Sequence, residues 1–211
     1  MASNIGTEMG VTGVPSFNGR EADRYLTESQ GPEGVQTRAR ILRREPAAYT
    51  VQNAIRLTAR QAKWKSVPAT DAAGDQRAAE FVEQCLGDMS HTLWKAVSFA
   101  LSSQAFGFAD LHIVYKRRSG PVARGSSPTS LFNDGLVGLR KLAIRRQETI
   151  DSWERDDNGD PKFMVQVNPD TGKKLVPVPV DRMLHFIGGD DRGAWEGIGW
   201  LEPAYKLWHM I

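Results

Sequence analysis

The chain has 211 residues, of which 40% are hydrophobic and 25% are charged, a composition that excludes disordered and fibrous proteins. Its 27 Lys and Arg residues nearly balance its 25 Asp and Glu residues, and the net charge of +2 argues against a polybasic nucleic-acid binder. A single cysteine, Cys85, forms neither an intrachain disulfide nor a site of several thiolates. No apolar run reaches the ~18 residues of a membrane helix, and residues 1–13 lack the features of a signal peptide. This composition is typical of a soluble protein of a reducing compartment.

The N-terminal segment is rich in Gly, Ser, Thr, Pro and Asn and carries few large apolar groups. Such a segment cannot bury enough surface to offset its ordering entropy. We therefore predict a flexible arm over residues 1–37, which is either a disordered tail or an arm that orders against a neighbouring subunit. A folded domain is predicted over residues 38–199, with order beginning near Arg38.

Helical signals dominate the first half of this domain. Pro46 suits a first helical turn, and residues 76–89 carry apolar side chains at helical spacing, with Cys85 on the apolar face. Ser90 is suited to cap the next helix. Residues 64–68 alternate in polarity and are predicted to form a short strand that ends at a proline.

The second half of the domain has the alternation and turn residues of a β region. The predicted strands are residues 108–115, 136–144, 148–153, 163–167, 175–178 and 183–187. Turns are predicted at residues 156–160, where Asn-Gly is the hairpin signal, and at residues 168–172. We therefore predict an α+β fold in which helices pack on a mixed, mainly antiparallel β region.

A last helix is predicted over residues 200–211, with Pro203 tolerated in its first turn. Leu201, Tyr205 and Trp208 form its apolar stripe, and no glycine or polar cap follows them. From this pattern we expect the fold to end in an incomplete helix, as the N-terminal part of something longer.

Catalytic and cofactor motifs are scarce. The chain lacks the phosphate-binding loop, the zinc-protease motif and the nucleophile elbow, so no catalytic residue, metal site or cofactor is predicted. Asp110 and His112 would share one strand face, as an acid–base pair would. A divalent-metal enzyme acting on nucleic acid would need converging acidic residues, and a solvated acidic loop is the simpler interpretation. The carboxylates concerned are Asp181, Asp190, Asp191 and Glu196.

Basic residues cluster at positions 38–44, 116–124 and 140–146. Contact with a phosphate backbone needs only positive charge in the right place and is strongly salt-dependent. A solvated surface is the alternative interpretation of each cluster. The candidates for lying near a nucleic acid are Arg117, Arg118, Arg140, Arg145 and Arg146.

The order of several short fragments is similar to that in a known family. The fragments are AKWKSVPA (62–69), AFGFAD (105–110), LAIRRQETI (142–150), VDRMLHF (180–186) and GIGWLEPAYKLW (197–208). Over residues 38–211 this arrangement resembles the N-terminal wing part of a tailed-bacteriophage portal protein. The most telling fragment is the last one, which follows a strand ending in His-Phe and a glycine loop.

The resemblance implies a structural function and a set of partners. Portal proteins form a ring, usually of twelve subunits, at one vertex of the viral head, and they are not enzymes. The terminase pumps double-stranded DNA in through the ring, and the DNA leaves through it on infection without sequence-specific binding. The major capsid protein and a head–tail adaptor contact the ring. The resemblance thus implies a virion protein, made in the host cytoplasm and not in a membrane, whose wing leads through residues 200–211 into a stem and clip.

Ring subunits bury their side surfaces, so aromatic residues are expected at subunit interfaces. The interface candidates are Trp195, Trp200, Tyr205 and Trp208, which lie around the glycine loop and the last helix. The remaining tryptophans, among them Trp64 and Trp153, are expected in the core. A metal-dependent enzyme acting on nucleic acid and a generic α+β interaction domain are the alternatives to a portal subunit.

Overall fold

The structure is a computed structural model that describes residues 16–17, 20–21, 31–121, 128–168, 170–189 and 195–209. The elements are, in chain order, β1 (Ser16–Phe17), β2 (Arg20–Glu21), α1 (Gly31–Arg44), α2 (Pro46–Arg60), α3 (Ala73–Gly87), α4 (Leu93–Ala100), α5 (Ser103–Phe106), β3 (Phe108–Arg117), β4 (Val137–Arg145), β5 (Ile150–Arg155), β6 (Pro161–Gln166), β7 (Val178–Pro179), β8 (Met183–Ile187) and α6 (Leu201–His209). This arrangement of helices and small antiparallel sheets confirms the α+β class predicted from the sequence.

Helices α1 and α2 are separated by one residue, Glu45, and Pro46 opens α2 as predicted. Helix α1 begins at Gly31, before the Arg38 at which order was expected to begin. The buried face of α1 is difficult to predict from the sequence, because one of the residues on that face is charged. Arg38 is 2% exposed and pairs with Glu202 of α6 across 3.6 Å, while Ile41 beside it is buried among apolar groups.

The strand predicted over residues 64–68 is wrong, since residues 62–68 have no regular secondary structure. Among the strands that the structure describes, none pairs with this segment, and a strand needs the hydrogen bonds of a neighbour. Trp64, which was expected in the core, is 64% exposed there. Helix α3 forms as predicted, yet Cys85 is its one fully buried residue and Val82 is 47% exposed.

The first sheet has the strand order β4-β3-β8 and is antiparallel throughout. Its two faces follow the alternation of β3. Phe108 and Asp110 lie on one face, and Leu111 lies on the other, where it is paired with Ile144 of β4 and Leu184 of β8. A bulge between Val114 and Tyr115 interrupts the β3–β4 register.

The second sheet has the order β5-β6-β7 and is also antiparallel. Both predicted turns border β6. Gly159 has φ 90° in the β5–β6 hairpin, and Gly172 has φ 65° in the turn before β7, a region of backbone conformation that favours glycine.

Three apolar clusters hold these layers together. The second sheet packs on one face of the first through Phe108, Met183, Trp153 and Met164, so Trp153 lies in the core as predicted. Helix α4 covers part of the opposite face through Ala96, which contacts Leu111 and Leu142. Helices α1, α2, α5 and α6 share a third cluster, built on Ile41, Ala48, Ala105 and Leu201.

Candidate functional site

The aromatic site around His185 joins the first sheet, the second sheet and the segment before α6. Nδ1 of His185 lies 2.7 Å from Oδ1 of Asp110, and Nε2 lies 2.7 Å from the backbone oxygen of Trp195. The Trp195 ring is stacked on the imidazole at 4.1 Å, and Trp153 meets the imidazole edge-on at 5.6 Å. The indole N–H of Trp153 donates to Oε1 of Glu196 at 2.9 Å. We call these five residues the His185 site.

The hydrogen bonds of His185 restrict where the protons of His185 and Asp110 can lie. A carbonyl oxygen only accepts, so Nε2 of His185 donates its proton to Trp195. Nδ1 then either donates to an ionised Asp110 or accepts the proton of a neutral one. Burial raises the pKa of Asp110, and the hydrogen bond and charge of His185 oppose that shift without reversing it. The net effect is a pKa of Asp110 above its ordinary value, in keeping with a carboxyl group that is 0% exposed.

The sequence placed Asp110 with His112, whereas the structure pairs it with His185. His112 lies on the same face of β3, but the Nη2 group of Arg145 contacts its Nδ1 at 2.6 Å. The sequence did not predict the pair of Asp110 and His185 because the two residues are far apart in the chain. They meet only because β8 pairs with β3. Alternation within one strand identifies shared faces but not the neighbouring strand.

Glycines hold the backbone around the His185 site at close approach. A Cβ atom on Gly107 would collide with the backbone oxygen of Gly197, and one on Gly199 would collide with the backbone oxygen of Ala105. The amide of Gly188 donates to the backbone oxygen of Gly107 at 2.7 Å. Gly107 also has φ 95°, a backbone angle that residues other than glycine rarely adopt. The glycine-rich fragment at residues 197–208 thus begins where three parts of the chain meet. These are the end of β8, the start of α6 and the corner between α5 and β3.

A buried ion pair anchors residues 129–131. Nζ of Lys116 lies 2.9 Å from Oδ2 of Asp88, and the two side chains are 4% and 5% exposed. Lys116 also donates to the backbone oxygen of Thr129, while Ser130 and the amide of Leu131 donate to the Asp88 carboxylate. Burial raises the pKa of Asp88, but these hydrogen bonds and the Lys116 charge together lower it below its ordinary value.

Arg118, a candidate for lying near nucleic acid, is held by contacts within its own chain. Its side chain is buried, with Nη2 2.9 Å from Oδ2 of Asp134 and 2.9 Å from Oε1 of Gln84. The guanidinium lies 4.0 Å from the ring centre of Phe132 and 5.1 Å from that of Phe81. This burial removes Arg118 from the surface that a nucleic acid could contact.

The other four arginine candidates occupy two ends of the β3–β4 pair. Arg117 and Arg140 are exposed near the bulge, and Nη1 of Arg117 donates to the backbone oxygen of Gly135. Arg145 is half-buried and Arg146 is exposed at the other end. Five residues of extended strand separate Arg140 from Arg145, about 17 Å. The structure therefore does not bring the five candidates into one patch.

Three cations, two of them from the basic run at residues 140–146, lie close enough to His112 to lower its pKa. Burial lowers the pKa of His112, and the charges of Arg145, Arg182 and Lys141 lower it further. Burial also lowers the pKa of Arg145. We call these four residues the His112 cluster. Lys141 and Arg145 belong to the basic run of β4, and chain separation hid only Arg182, which lies in the turn before β8.

The four aromatic interface candidates contact other parts of their own chain. Trp195 belongs to the His185 site, and Trp200, Tyr205 and Trp208 pack against the buried cluster of α1, α2, α5 and α6. All four are partly exposed. Their role at an interface between subunits stays a prediction.

Two of the four carboxylates considered for a metal enzyme lie outside the described residues, namely Asp190 and Asp191. Asp181 is exposed, and Glu196 accepts the Trp153 indole proton. Among the described residues, His, Cys, Asp and Glu side chains form no group of three that could hold a metal ion. None of the helices in this described part is long and apolar enough to cross a bilayer.

Comparison with models of protein families shows which family the chain belongs to. Residues 36–210 match the family model described as the portal protein of Mu bacteriophage. A search of curated proteins finds no match. The match spans well over half of the sequence, and the chain belongs to this family of phage portal proteins. Family membership assigns it a structural role in a phage portal.

Proposed function

We propose that the chain is a subunit of the portal ring at the vertex of a phage head, where double-stranded DNA passes during packaging and ejection. The observation that carries this proposal is the family match over residues 36–210. The ring contains about twelve subunits if it follows the portals that the sequence resembles. The wing comprises the domain predicted over residues 38–199 together with the first turns of α1, which begins at Gly31.

The partners of such a ring follow from its position. Other copies of the chain form the ring, and the major capsid protein surrounds it. The terminase large subunit docks on it during packaging, and a head–tail adaptor docks beneath it. The family match supports these partners as a group through the role of the portal in the virion.

DNA contact in this proposal is electrostatic and independent of sequence. The exposed arginines Arg117, Arg140 and Arg146 and the His112 cluster supply local positive charge on a chain whose net charge is only +2. Such a surface attracts phosphates weakly, and weak attraction suits a passage through which DNA must slide.

Electron microscopy of the purified protein tests the proposal. Closed rings with a central opening, at one vertex of the head when viewed in the particle, are the expected result. Particles that lack the protein at the vertex, or a protein that stays monomeric at high concentration, would overturn it.

A further inference from the structure

A polar cavity lies among helices α1, α2, α4 and α5 and the 3₁₀ turn Gln147–Thr149 that follows β4. Its volume is about 380 Å³, within the range of about 300–1,000 Å³ typical of ligand-binding clefts. No residue of the His185 site or of the buried ion pair lines it, so the cavity is a separate feature of the described part of the chain.

Helix α2 faces the cavity with a polar stripe. Four lining residues are spaced at i, i+3, i+4 and i+7 and share one face of the helix, namely Tyr49, Gln52, Asn53 and Arg56. Val51, on the opposite side of α2, is 48% exposed. Polar groups that face the interior of a fold need hydrogen-bond partners. The cavity is therefore suited to a polar ligand rather than to apolar packing.

Gln52 carries a buried amide oxygen without a partner. The side chain is 1% exposed, and its Nε2 donates to the backbone oxygen of Leu101 at 3.2 Å. A carbonyl oxygen only accepts, so this bond fixes which end of the amide is Nε2. Oε1 then has no hydrogen-bond partner among the described residues. A buried acceptor in this state is unfavourable, and a ligand that donates an N–H group would satisfy it.

Three arginines line the same cavity, namely Arg43 on α1, Arg56 on α2 and Arg146 directly after β4. In the described part of the chain, none of the three forms an ion pair with a carboxylate. The Nε atom of Arg56 is buried there without a hydrogen-bond partner. Among the described lining residues Glu148 is the one carboxylate, so the cations outnumber it. Guanidinium groups that lack a carboxylate partner are suited to bind a phosphate through pairs of N–H donors.

Aromatic side chains give the cavity an apolar part. Phe99 of α4 and Phe106 of α5 are partly buried, and Tyr49 of α2 is 56% exposed. Rings of this kind are the surfaces on which bases stack in proteins that bind unpaired nucleotides. One cavity thus combines cations for a phosphate, an acceptor for an N–H group and aromatic surface for a planar base.

We propose that this cavity binds a single unpaired nucleotide. The phosphate contacts the arginines, the base lies against the aromatic rings, and an N–H group of the base donates to Oε1 of Gln52. In a duplex the base faces are stacked on neighbouring bases and cannot meet these rings. The ligand is therefore a free mononucleotide or the unpaired end of a strand. This inference goes beyond the proposed ring, because every part of the site lies within one subunit.

Isothermal titration calorimetry of the purified protein with AMP tests the site. Inorganic phosphate and adenosine should each bind at least about tenfold more weakly than AMP, since each reaches only one part of the site. Phosphate that binds as tightly as AMP, or AMP that does not bind at millimolar concentration, would overturn the proposal. A short single strand with a 5′-phosphate is compared with AMP. Tighter binding of the strand would support a strand end as the ligand, and weaker binding would support the free mononucleotide.

Substitutions in the lining provide a second test. Arg43→Gln should weaken AMP binding about tenfold, because one charge-assisted contact with the phosphate is lost. The matched control is Arg44→Gln, since Arg44 is also exposed at the end of α1 but does not line the cavity. Gln52→Met should weaken the binding of AMP and leave that of inorganic phosphate unchanged, because it removes only the contact with the base. Equal effects of the two arginine substitutions would contradict the proposal, and they decide it even if Gln52→Met does not fold.

The outcomes also separate this inference from the proposed function. Closed rings that do not bind AMP would overturn the nucleotide site and leave the portal subunit in place. A chain that binds AMP but never forms rings would support the nucleotide site and overturn the portal ring.

Discussion

The imidazole of His185 lies parallel to the indole of Trp195, with ring centres 4.1 Å apart and an angle of 2° between the planes. The same imidazole is bound to Asp110 on β3 and to the backbone of Trp195. One side chain of β8 thus contacts both the neighbouring strand β3 and the segment that leads to α6.

The first prediction concerns the pH dependence that Asp110 gives to stability. Its folded-state pKa is raised above the ordinary value of 3.8, so the folded chain holds a proton that the unfolded chain releases. The free energy of unfolding should therefore fall as pH rises from about 3.8 through the raised pKa, by at most about 1.4 kcal/mol per pH unit. Asp110→Asn should remove this decline, because the amide donates to Nδ1 of His185 without ionising. Urea unfolding of both proteins across that range measures the effect, and parallel curves would contradict it.

The second prediction concerns the buried pair of Lys116 and Asp88. Lys116→Met should lower the free energy of unfolding by about 3–5 kcal/mol, because it leaves a buried carboxylate without its cation. Adding Asp88→Leu should recover part of the loss, since no unpaired charge then remains. A double-mutant cycle in urea gives the coupling energy. A double variant that is less stable by the sum of the two single effects would show that the residues act independently.

The third prediction concerns the glycine contact before α6. Gly199→Ala should lower the free energy of unfolding by about 1–3 kcal/mol or more, because its Cβ would meet the backbone of Ala105 and Gly107. Gly74→Ala is the matched control. Gly74 lies in α3 with open space where the Cβ would stand, and alanine should stabilise the helix there by up to about 1 kcal/mol. Equal effects of the two substitutions in denaturant titrations would refute the close packing.

The fourth prediction concerns DNA and the His112 cluster. Arg182→Gln should weaken binding to any DNA duplex and reduce the slope of log affinity against log salt by about 1, as expected when one phosphate contact is lost. Arg77→Gln on α3 removes an exposed cation elsewhere and should change the slope little. Fluorescence anisotropy with labelled duplexes of unrelated sequence measures both. Identical slopes for the two variants would show that the His112 cluster does not contact DNA.

Local signals in the sequence were enough to predict most elements. Strand β8 spans residues 183–187 as predicted, and the Asn158-Gly159 hairpin joins two strands near their predicted bounds. The short strand at residues 64–68 failed because a strand needs a partner, which alternation in one segment does not reveal. The start of α1 was placed too late because its buried face includes Arg38, a residue that composition counts as polar.

The candidate site was harder to predict because its residues are distant in the chain. Asp110 and His185 are joined by the β3–β8 register, and Lys116 at the end of β3 meets Asp88, which lies before α4 and α5 in the chain. Arg118 was taken as a surface cation because it sits in a basic run, yet stacking on Phe132 and pairing with Asp134 bury it. Charge patterns along a sequence do not show which cations are already paired.

Native mass spectrometry of the protein purified from its own particle or host tests the central claim most directly. It reports the mass of one chain and the number of chains in the same experiment. Our account predicts a closed assembly of about a dozen identical chains. A monomer at the concentrations found in the particle would contradict the assignment to a portal ring.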